Sequence, residues 1–366
     1  MSVIISLGKA VPDYKYKQHD ILQYMLQVPE FNDSRWQRKL SLLYERSGIT
    51  NRYSAIPDFD EQQHQKKAVL FTENNSCPAI QNRLAIYHNN ALKLAQKAVN
   101  NCMNTAHKLN EVTHLITVSC TGMSAPGLDL RLMQLLQLKN NVHRTSINFM
   151  GCYAAFHGLK QAKAICESDE KAKVLVVCVE LCTLHFQPDA DMDNIMANML
   201  FADGAAAVLL CSDKQAKEQQ LKGLKIKDMY AEVLFEGEED MAWNISDKGF
   251  LMRLSAYIPQ LIKGNINGLI NNALAHAQIQ KDQITDWAIH PGGKKIVEVI
   301  ATALQLNNND VQASFEVLKN YGNMSSPTIL FVLIEMWQSL INKQATIFAV
   351  GFGPGLTMET AVLERV

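Results

Sequence analysis

The 366-residue chain has no apolar run near the roughly 18 to 20 residues that cross a bilayer; Val174 to Val179 and Ile329 to Ile334 are among its longest. No transmembrane helix is expected. The first residues, MSVIISLGKAVPDY, carry no basic segment ahead of a short apolar run, so no secretory signal is expected and the cytoplasm is the expected compartment. Charge excess is missing too: 35 Lys and Arg face 36 Asp and Glu, the formal net charge is -1, and no basic block of five or more occurs. A nucleic-acid partner or an anionic membrane surface therefore has no support in the composition, and a small ligand is expected. The eight cysteines (Cys77, Cys102, Cys120, Cys152, Cys166, Cys178, Cys182 and Cys211) include no C-x-x-C pair, and no histidines stand at metal-ligand spacing. No metal site is expected, and in a reducing compartment most of these thiols read as small buried hydrophobes. No solenoid repeat and no low-complexity linker divides the chain.

What is present is a globular composition, 48% hydrophobic, with length for two ordinary domains or one large core. Short apolar runs alternate with longer helical patterns, which predicts an α/β chain with parallel or mixed sheets. The strand candidates are Val3 to Leu7, Leu115 to Ser119, Lys173 to Val179, Ala205 to Cys211, Trp287 to Ile289, Thr346 to Val350 and Met358 to Leu363. Helical periodicity marks Arg83 to Leu109, Ala154 to Glu167, Met252 to Ala275, Gly293 to Leu304 and Pro327 to Ile341. The Lys-, Gln- and Glu-rich stretch Ser212 to Asp240 is the candidate junction. A weak duplication is legible: the strand ending at Cys120 leads through a helix to Lys173–Val179, much as the strand ending at His290 leads through a helix to Thr346–Val350. Two related halves meeting at their strand ends would place loops where chemistry is done.

Four segments carry candidate chemistry. In Asn148-Phe-Met-Gly-Cys152-Tyr-Ala-Ala-Phe-His157 an apolar run stops at Gly151 and a helical pattern begins. A cysteine at a helix start meets unpaired N–H groups and the positive end of the dipole, which favour thiolate. Cys152 is thus read as a nucleophile or, failing a partner, as a buried structural thiol. In Asp286-Trp-Ala-Ile-His290-Pro-Gly-Gly a strand ends on a histidine placed to face a cleft, with a satisfied structural histidine as the alternative. In Asn320-Tyr-Gly-Asn323-Met-Ser325-Ser326-Pro327, Asn323 either caps the following helix or offers a neutral donor to an oxyanion. Gly351-Phe-Gly-Pro-Gly-Leu-Thr357 departs from G-x-G-x-x-G at Leu356 and precedes a strand pattern, so a dinucleotide role is disfavoured.

Cys152, His290 and Asn323, in this order and these contexts, resemble the Cys-His-Asn set of the type III polyketide synthases, the chalcone synthase-like branch of the thiolase superfamily, in a bacterial-type version. The resemblance rests on GCYAAFHGL, VLVVCVEL, LFADGAAAVLL, WAIHPGG, YGNMSSPT and GFGPGLTMETAVL, spread from about residue 115 to the C-terminus, and is more diffuse before that. Ketoacyl synthase III enzymes would show HQAN- and GNTS-type loops instead, and HMG-CoA synthase a catalytic carboxylate.

The resemblance implies a thiolase fold, five-layered αβαβα, with an N-terminal half (1–220) carrying the nucleophilic Cys and a C-terminal half (221–366) carrying the His and Asn. It implies a homodimer and an acyltransferase that loads an acyl-CoA starter on Cys152 and extends it by decarboxylative Claisen condensation with malonyl-CoA. His290 would stabilise the Cys152 thiolate, and His290 and Asn323 would hold the enolate oxygen. No metal or redox cofactor is required by that chemistry. Lys39 and Arg46 fall at the family's basic CoA-phosphate positions and Leu42 at a third, while a solvated helical face accounts for the two basic residues equally well. Phe201 matches one gatekeeper phenylalanine and Met252 stands at the other; Cys182, His185, Ser325 and Trp243 complete the expected pocket. A flexible Met252 suits an aliphatic or small starter better than a coumaroyl group, unless it only packs in the core. The product is expected to be a pyrone, resorcinol or phloroglucinol. The rival readings are a ketoacyl synthase III-like enzyme, a Cys-His-Asn thioester hydrolase, and a non-catalytic partner-type member of the fold.

Overall fold

Two strands without a single exposed residue frame the protein. Lys173–Leu181 and Asp203–Ser212 are buried along their whole length, which requires a covering layer on each face. The computed structural model describes residues 1–59, 68–71, 77–103, 107–255 and 257–366. In chain order the strands are β1 (Ser2–Ala10), β2 (Tyr14–Lys17), β3 (Asn51–Ser54), β4 (His114–Ser119), β5 (His143–Asn148), β6 (Lys173–Leu181), β7 (Asp203–Ser212), β8 (Leu224–Val233), β9 (Met241–Ser246), β10 (Gly249–Leu254), β11 (Asp286–Ile289), β12 (Thr346–Gly353) and β13 (Thr357–Arg365). Nine form one mixed sheet in the order β11-β12-β13-β8-β1-β7-β6-β4-β5, while β2–β3 and β9–β10 are separate two-stranded ribbons.

That order repeats. The first half runs β5-β4-β6-β7-β1, with β4 parallel to β5 and β6, and with β7 antiparallel to both of its neighbours. The second runs β11-β12-β13-β8, with β11 parallel to β12 and β13 antiparallel to both of its neighbours. Equating β1 with β8, β4 with β11, β6 with β12 and β7 with β13 superposes the topologies, and only β5 lacks a counterpart. The halves join through a short β1–β8 contact, Ser2 to Ile4 against Leu224 to Ile226.

Alternation along the strands assigns the layers. Val174, Val176 and Cys178 of β6 pack in one cluster with helices Ala154–Ser168 and Thr328–Leu340 and with Ala288, Ile347 and Leu363 of the second half. Leu175, Val177 and Val179 point the opposite way, onto helix Ile80–Cys102. In the second half, Ile289, Phe348 and Val350 face helices Ile258–His276 and Lys294–Ala303. Two helices thus lie between the half-sheets and others outside each. This is the five-layered αβαβα architecture of the thiolase fold, and the duplication read from the sequence is real.

Two local expectations are corrected and the extent of a third is narrowed. The helix placed at Met252 to Ala275 begins only at Ile258, and Met252 lies on β10; residue 256 is outside the described residues. Bulky Phe250, Leu251 and Met252 pair across the ribbon with Ile245, Asn244 and Trp243, a tertiary contact that outweighs local propensity. The helix placed at Arg83 to Leu109 is Ile80–Cys102, with Leu109 opening a single 3-10 turn and 104–106 outside the described residues. The proposed junction Ser212 to Asp240 contains helix Asp213–Glu218 and all of β8. The lysines of β8 disguised it: Lys227 pairs with Glu364 of β13 at 2.7 Å and Lys225 lies 4.0 Å from Asp213, partners a local reading does not see. The edge strand β5, HRTSIN, escaped notice because only one of its faces is even partly covered.

Candidate active site

After β5 the chain reverses through Phe149 (φ 59°) and Gly151 (φ 80°) and delivers Cys152 just ahead of helix Ala154–Ser168. A Cβ on Gly151 would stand 2.2 Å from Cδ of Pro354, so only glycine permits both this φ and this approach. Gly353 answers from the other half, where a Cβ would meet Tyr153 Cδ1 at 2.6 Å. The glycine-rich segment after β12 is therefore a close-packing loop laid on the turn that carries Cys152.

His290 follows β11 directly. Its N–H donates to Val350 O (2.8 Å), extending the ladder by one rung, and Gly292 N–H donates back to His290 O (2.9 Å). The ring is 1% exposed, and neither nitrogen has a hydrogen-bond partner among the described residues. Burial pushes its pKa down to about 3, so the resting ring is neutral. An unpartnered buried ring costs about 1 to 3 kcal/mol, which a ligand oxygen in the cavity would recover.

Asn323 is tied by its backbone to the chain around Phe201: its N–H donates to Leu200 O and its carbonyl accepts from Ala202 N–H, both at 2.9 Å. Its Oδ1 accepts from Ser325 N–H (2.8 Å) and Thr328 Oγ1 (3.3 Å). Since a backbone N–H can only donate, that bond fixes which end of the amide is oxygen. Nδ2 is thereby turned to Cys152 Sγ at 3.9 Å and Gly292 O at 3.4 Å. The oxygen holds the turn before helix Thr328–Leu340, and the NH2 faces the Cys152 thiol.

The three residues share a cavity of about 640 Å3, open mouth included, whose wall also takes in Ser325, Cys182, Phe201, Trp243 and Met252. Ser325 sits in the left-handed region (φ 59°). Burial pushes the Cys152 thiol up to about 11, against the opposing pull of the Ser325 and Asn323 side chains. The helix start alone predicts thiolate; burial opposes it and favours the neutral thiol and the neutral imidazole.

A second cavity of about 470 Å3 lies behind, sharing Cys182, Phe201, Trp243 and Met252 with the first. His185 lines only this second one. Its Nε2 donates to Thr121 O (2.7 Å), its Nδ1 accepts from Phe250 N–H (3.1 Å), and its ring stacks on Phe250 at 4.2 Å. That pairing assigns a neutral Nε2–H tautomer, and burial pushes the pKa down to about 3. Trp243 Nε1 donates to Cys120 O (3.0 Å), a second tie between the β9–β10 ribbon and the chain beyond β4.

An outer cavity of about 1180 Å3 shares Leu254, Gly292 and Ile296 with the Cys152 cavity and opens to solvent. Arg46 lines it. Lys39 lines none of the three, its ammonium standing 4.7 Å over the Trp36 ring, and Leu42 is exposed.

Sequence reading missed Glu180. It is fully buried and accepts from Cys120 N–H (2.9 Å), Thr121 N–H (3.1 Å), Thr121 Oγ1 (2.8 Å) and Ser326 Oγ (2.7 Å), tying the cavity floor to the Asn323 loop. Burial pushes its carboxyl up to about 7. A lone acid inside the apolar run VLVVCVEL was the available signal.

Known proteins share this arrangement of chain. The family description "Chalcone and stilbene synthases, N-terminal domain" matches residues 1–214, and the corresponding C-terminal domain matches 225–366. Type III polyketide synthase A of Arabidopsis thaliana is 29% identical over all of this chain and 93% of its own length. The alpha-pyrone synthesis polyketide synthase-like Pks18 of Mycobacterium tuberculosis is 28% identical over all of this chain and 92% of its own. Among solved structures, PKS-I of the brown alga Ectocarpus siliculosus superposes with a TM-score of 0.91 at 28% identity, covering 100% of this chain and 98% of that one. The C-terminal type III polyketide synthase domain of Steely1 from Dictyostelium gives 0.89 at 26% identity, covering 100% and 99%.

Proposed function

Since the chain belongs to the chalcone and stilbene synthase family and is a type III polyketide synthase, an acyltransferase-type condensing enzyme, we propose that Cys152 loads an acyl-CoA starter and that His290 and Asn323 drive its extension with malonyl-CoA. The observation that carries this reading is the Asn323 amide, locked by its oxygen and turned by its NH2 toward Cys152 Sγ, in a cavity where the only side chain of basic character among the described residues is the unpartnered His290.

The steps follow from these groups. The Cys152 thiol attacks the carbonyl carbon of the acyl-CoA while its proton passes to His290; the carbon–sulfur bond to CoA breaks, and the CoA thiolate leaves with that proton. Malonyl-CoA then loses its free carboxylate as CO2, and the electron pair of the broken carbon–carbon bond enters an enolate whose oxygen accepts from His290 Nε2–H and Asn323 Nδ2. The enolate carbon attacks the acyl carbonyl on Cys152 and the thiolate is expelled, ready to be reprotonated. A neutral His290 with neither ring nitrogen tied to a partner among the described residues suits this work, because Nε2 takes the thiol proton in the Nδ1–H tautomer and donates to the enolate in the Nε2–H tautomer.

Met252, Cys182, Phe201 and Trp243 form the wall between the two inner cavities, which supports an aliphatic starter reaching past them and a pyrone, resorcinol or phloroglucinol product. The name of one relative, alpha-pyrone synthesis, favours the first. We read the halves as 1–220 and 221–366 and the assembly as a homodimer, which the open edge of β5 with exposed Leu130, Leu135 and Met123 supports. The cytoplasm is the compartment that eight unpaired cysteines, seven of them buried, favour.

Purified protein given malonyl-CoA and a panel of acyl-CoAs, read by mass spectrometry, tests the reading. Products longer than the starter by acetyl units support it. CoA release without carbon–carbon bond formation would instead mark a Cys-His-Asn hydrolase, and condensation only from acyl-carrier protein a ketoacyl synthase III-like enzyme.

A further inference from the structure

The outer cavity leads from solvent to the Cys152 cavity, and its walls are largely apolar, with side chains such as Leu43, Met196, Met199 and Ile258. Its charged side chains among the described residues are Arg46, Lys294 and Lys295, with Asp193 as the one acid. A surplus of cations at the mouth of an apolar channel suits a molecule with a neutral arm and a phosphate-bearing end. Lys294 is built into this position. Its stem lies on Gly48, where an added Cβ would meet Lys294 Cδ at 3.1 Å and Cβ at 3.3 Å, so the absence of a side chain there lets the lysine pack beside the chain that has just left Arg46. Among the described residues both ammonium groups ion-pair with Glu298, 3.8 Å from Lys294 and 3.6 Å from Lys295, long pairs with a half-exposed partner that an arriving phosphate displaces readily.

We propose that Lys294 and Lys295, on the same outer cavity as Arg46, form the phosphate grip for the CoA moiety of the thioester substrates, so that the helix just beyond the His290 loop and not Lys39 supplies most of the cationic contact. The proposal rests on the reading of the substrates as CoA thioesters. The geometry orders the substrate: the phosphates stay at the mouth, the pantetheine arm runs past Gly292 and Leu254, and the thioester reaches Cys152. It also ties the grip to catalysis, because Lys294 begins the helix that follows His290-Pro-Gly-Gly.

The test compares acylation of Cys152 by octanoyl-CoA and by octanoyl-N-acetylcysteamine thioester, which lacks every phosphate, in wild type and in Lys294→Gln/Lys295→Gln. Both lysines are exposed, so the variant is expected to melt with the wild type. Its kcat/KM for the CoA ester should fall by about tenfold or more through KM, with a weaker response to salt, while the phosphate-free ester is unaffected. Equal loss for both esters, or none for the CoA ester, overturns the grip. A wild type that does not prefer the CoA ester at all overturns the CoA reading itself. Lys39→Gln should leave the CoA preference intact; a larger loss there than in the double variant also overturns the proposal.

Discussion

Asn323 Nδ2 stands 3.9 Å from Cys152 Sγ although the two residues are 171 positions apart, and the other end of the same amide holds the turn at Ser325. The two ends can be separated by substitution. Asn323→Ala should lower malonyl-CoA decarboxylation by about a hundredfold or more while Cys152 acylation largely persists, and should also lower the melting temperature. Asn323→Asp keeps the acceptor for Ser325 N–H, so the melting temperature should recover while decarboxylation does not. Decarboxylation that recovers in the Asp variant would assign Asn323 to the turn alone.

Cys120 and Cys182 line the same cavity as Cys152, but burial and then the nearby Glu180 push both of their thiols well above the ordinary range. Cys152→Ala should therefore abolish acyl loading entirely. Intact-protein mass after incubation with acyl-CoA should show one adduct on the wild type and none on the variant; an adduct on Cys120 or Cys182 in the variant would sink the assignment.

The neutral state of His290 has a measurable sign. Its pKa is about 3 folded against an ordinary 6.5, so between these values the unfolded chain binds a proton that the native one does not, and stability is lost as pH falls. Replacing the ring removes that penalty. Relative to wild type, His290→Gln should gain about 2 kcal/mol in guanidinium unfolding between pH 7 and pH 5. In the same pair, alkylation of Cys152 by iodoacetamide should rise through pH 8 to 10, following a thiol pushed up to about 11; a plateau already at pH 6 would mean a thiolate–imidazolium pair at rest.

Met252 faces both inner cavities from β10. Met252→Phe puts a rigid ring where a thioether folds aside, and should shorten the acyl starters accepted. A lost methylene contact is worth about 1 kcal/mol, so the preference between starters several carbons apart should shift by about two orders of magnitude. Competition between short- and long-chain acyl-CoAs measures it, and an unchanged profile in a folded variant assigns the starter to Cys182 and Trp243.

Local pattern alone was enough for the elements whose causes are local. An apolar strand with both faces covered leaves a continuous run, as in β6 and β7; a glycine before a helix marks the Cys152 turn; a strand broken by Pro-Gly-Gly marks His290. Those same segments carry the family resemblance, and with it the layered fold and the proposed roles of Cys152, His290 and Asn323. Tertiary structure alone decided the rest. The strand β8 is hidden in sequence by lysines whose partners lie elsewhere, Lys227 with Glu364 being 137 positions apart. Met252 is on a strand because Trp243 pairs with it, and His185 is a bracket because Thr121 and Phe250 take both ring nitrogens. The charge states of Cys152 and His290 were also beyond local reading. A helix start pulls the thiol down, but desolvation by layers drawn from both halves pushes it up further, and burial is a property of the whole packed chain.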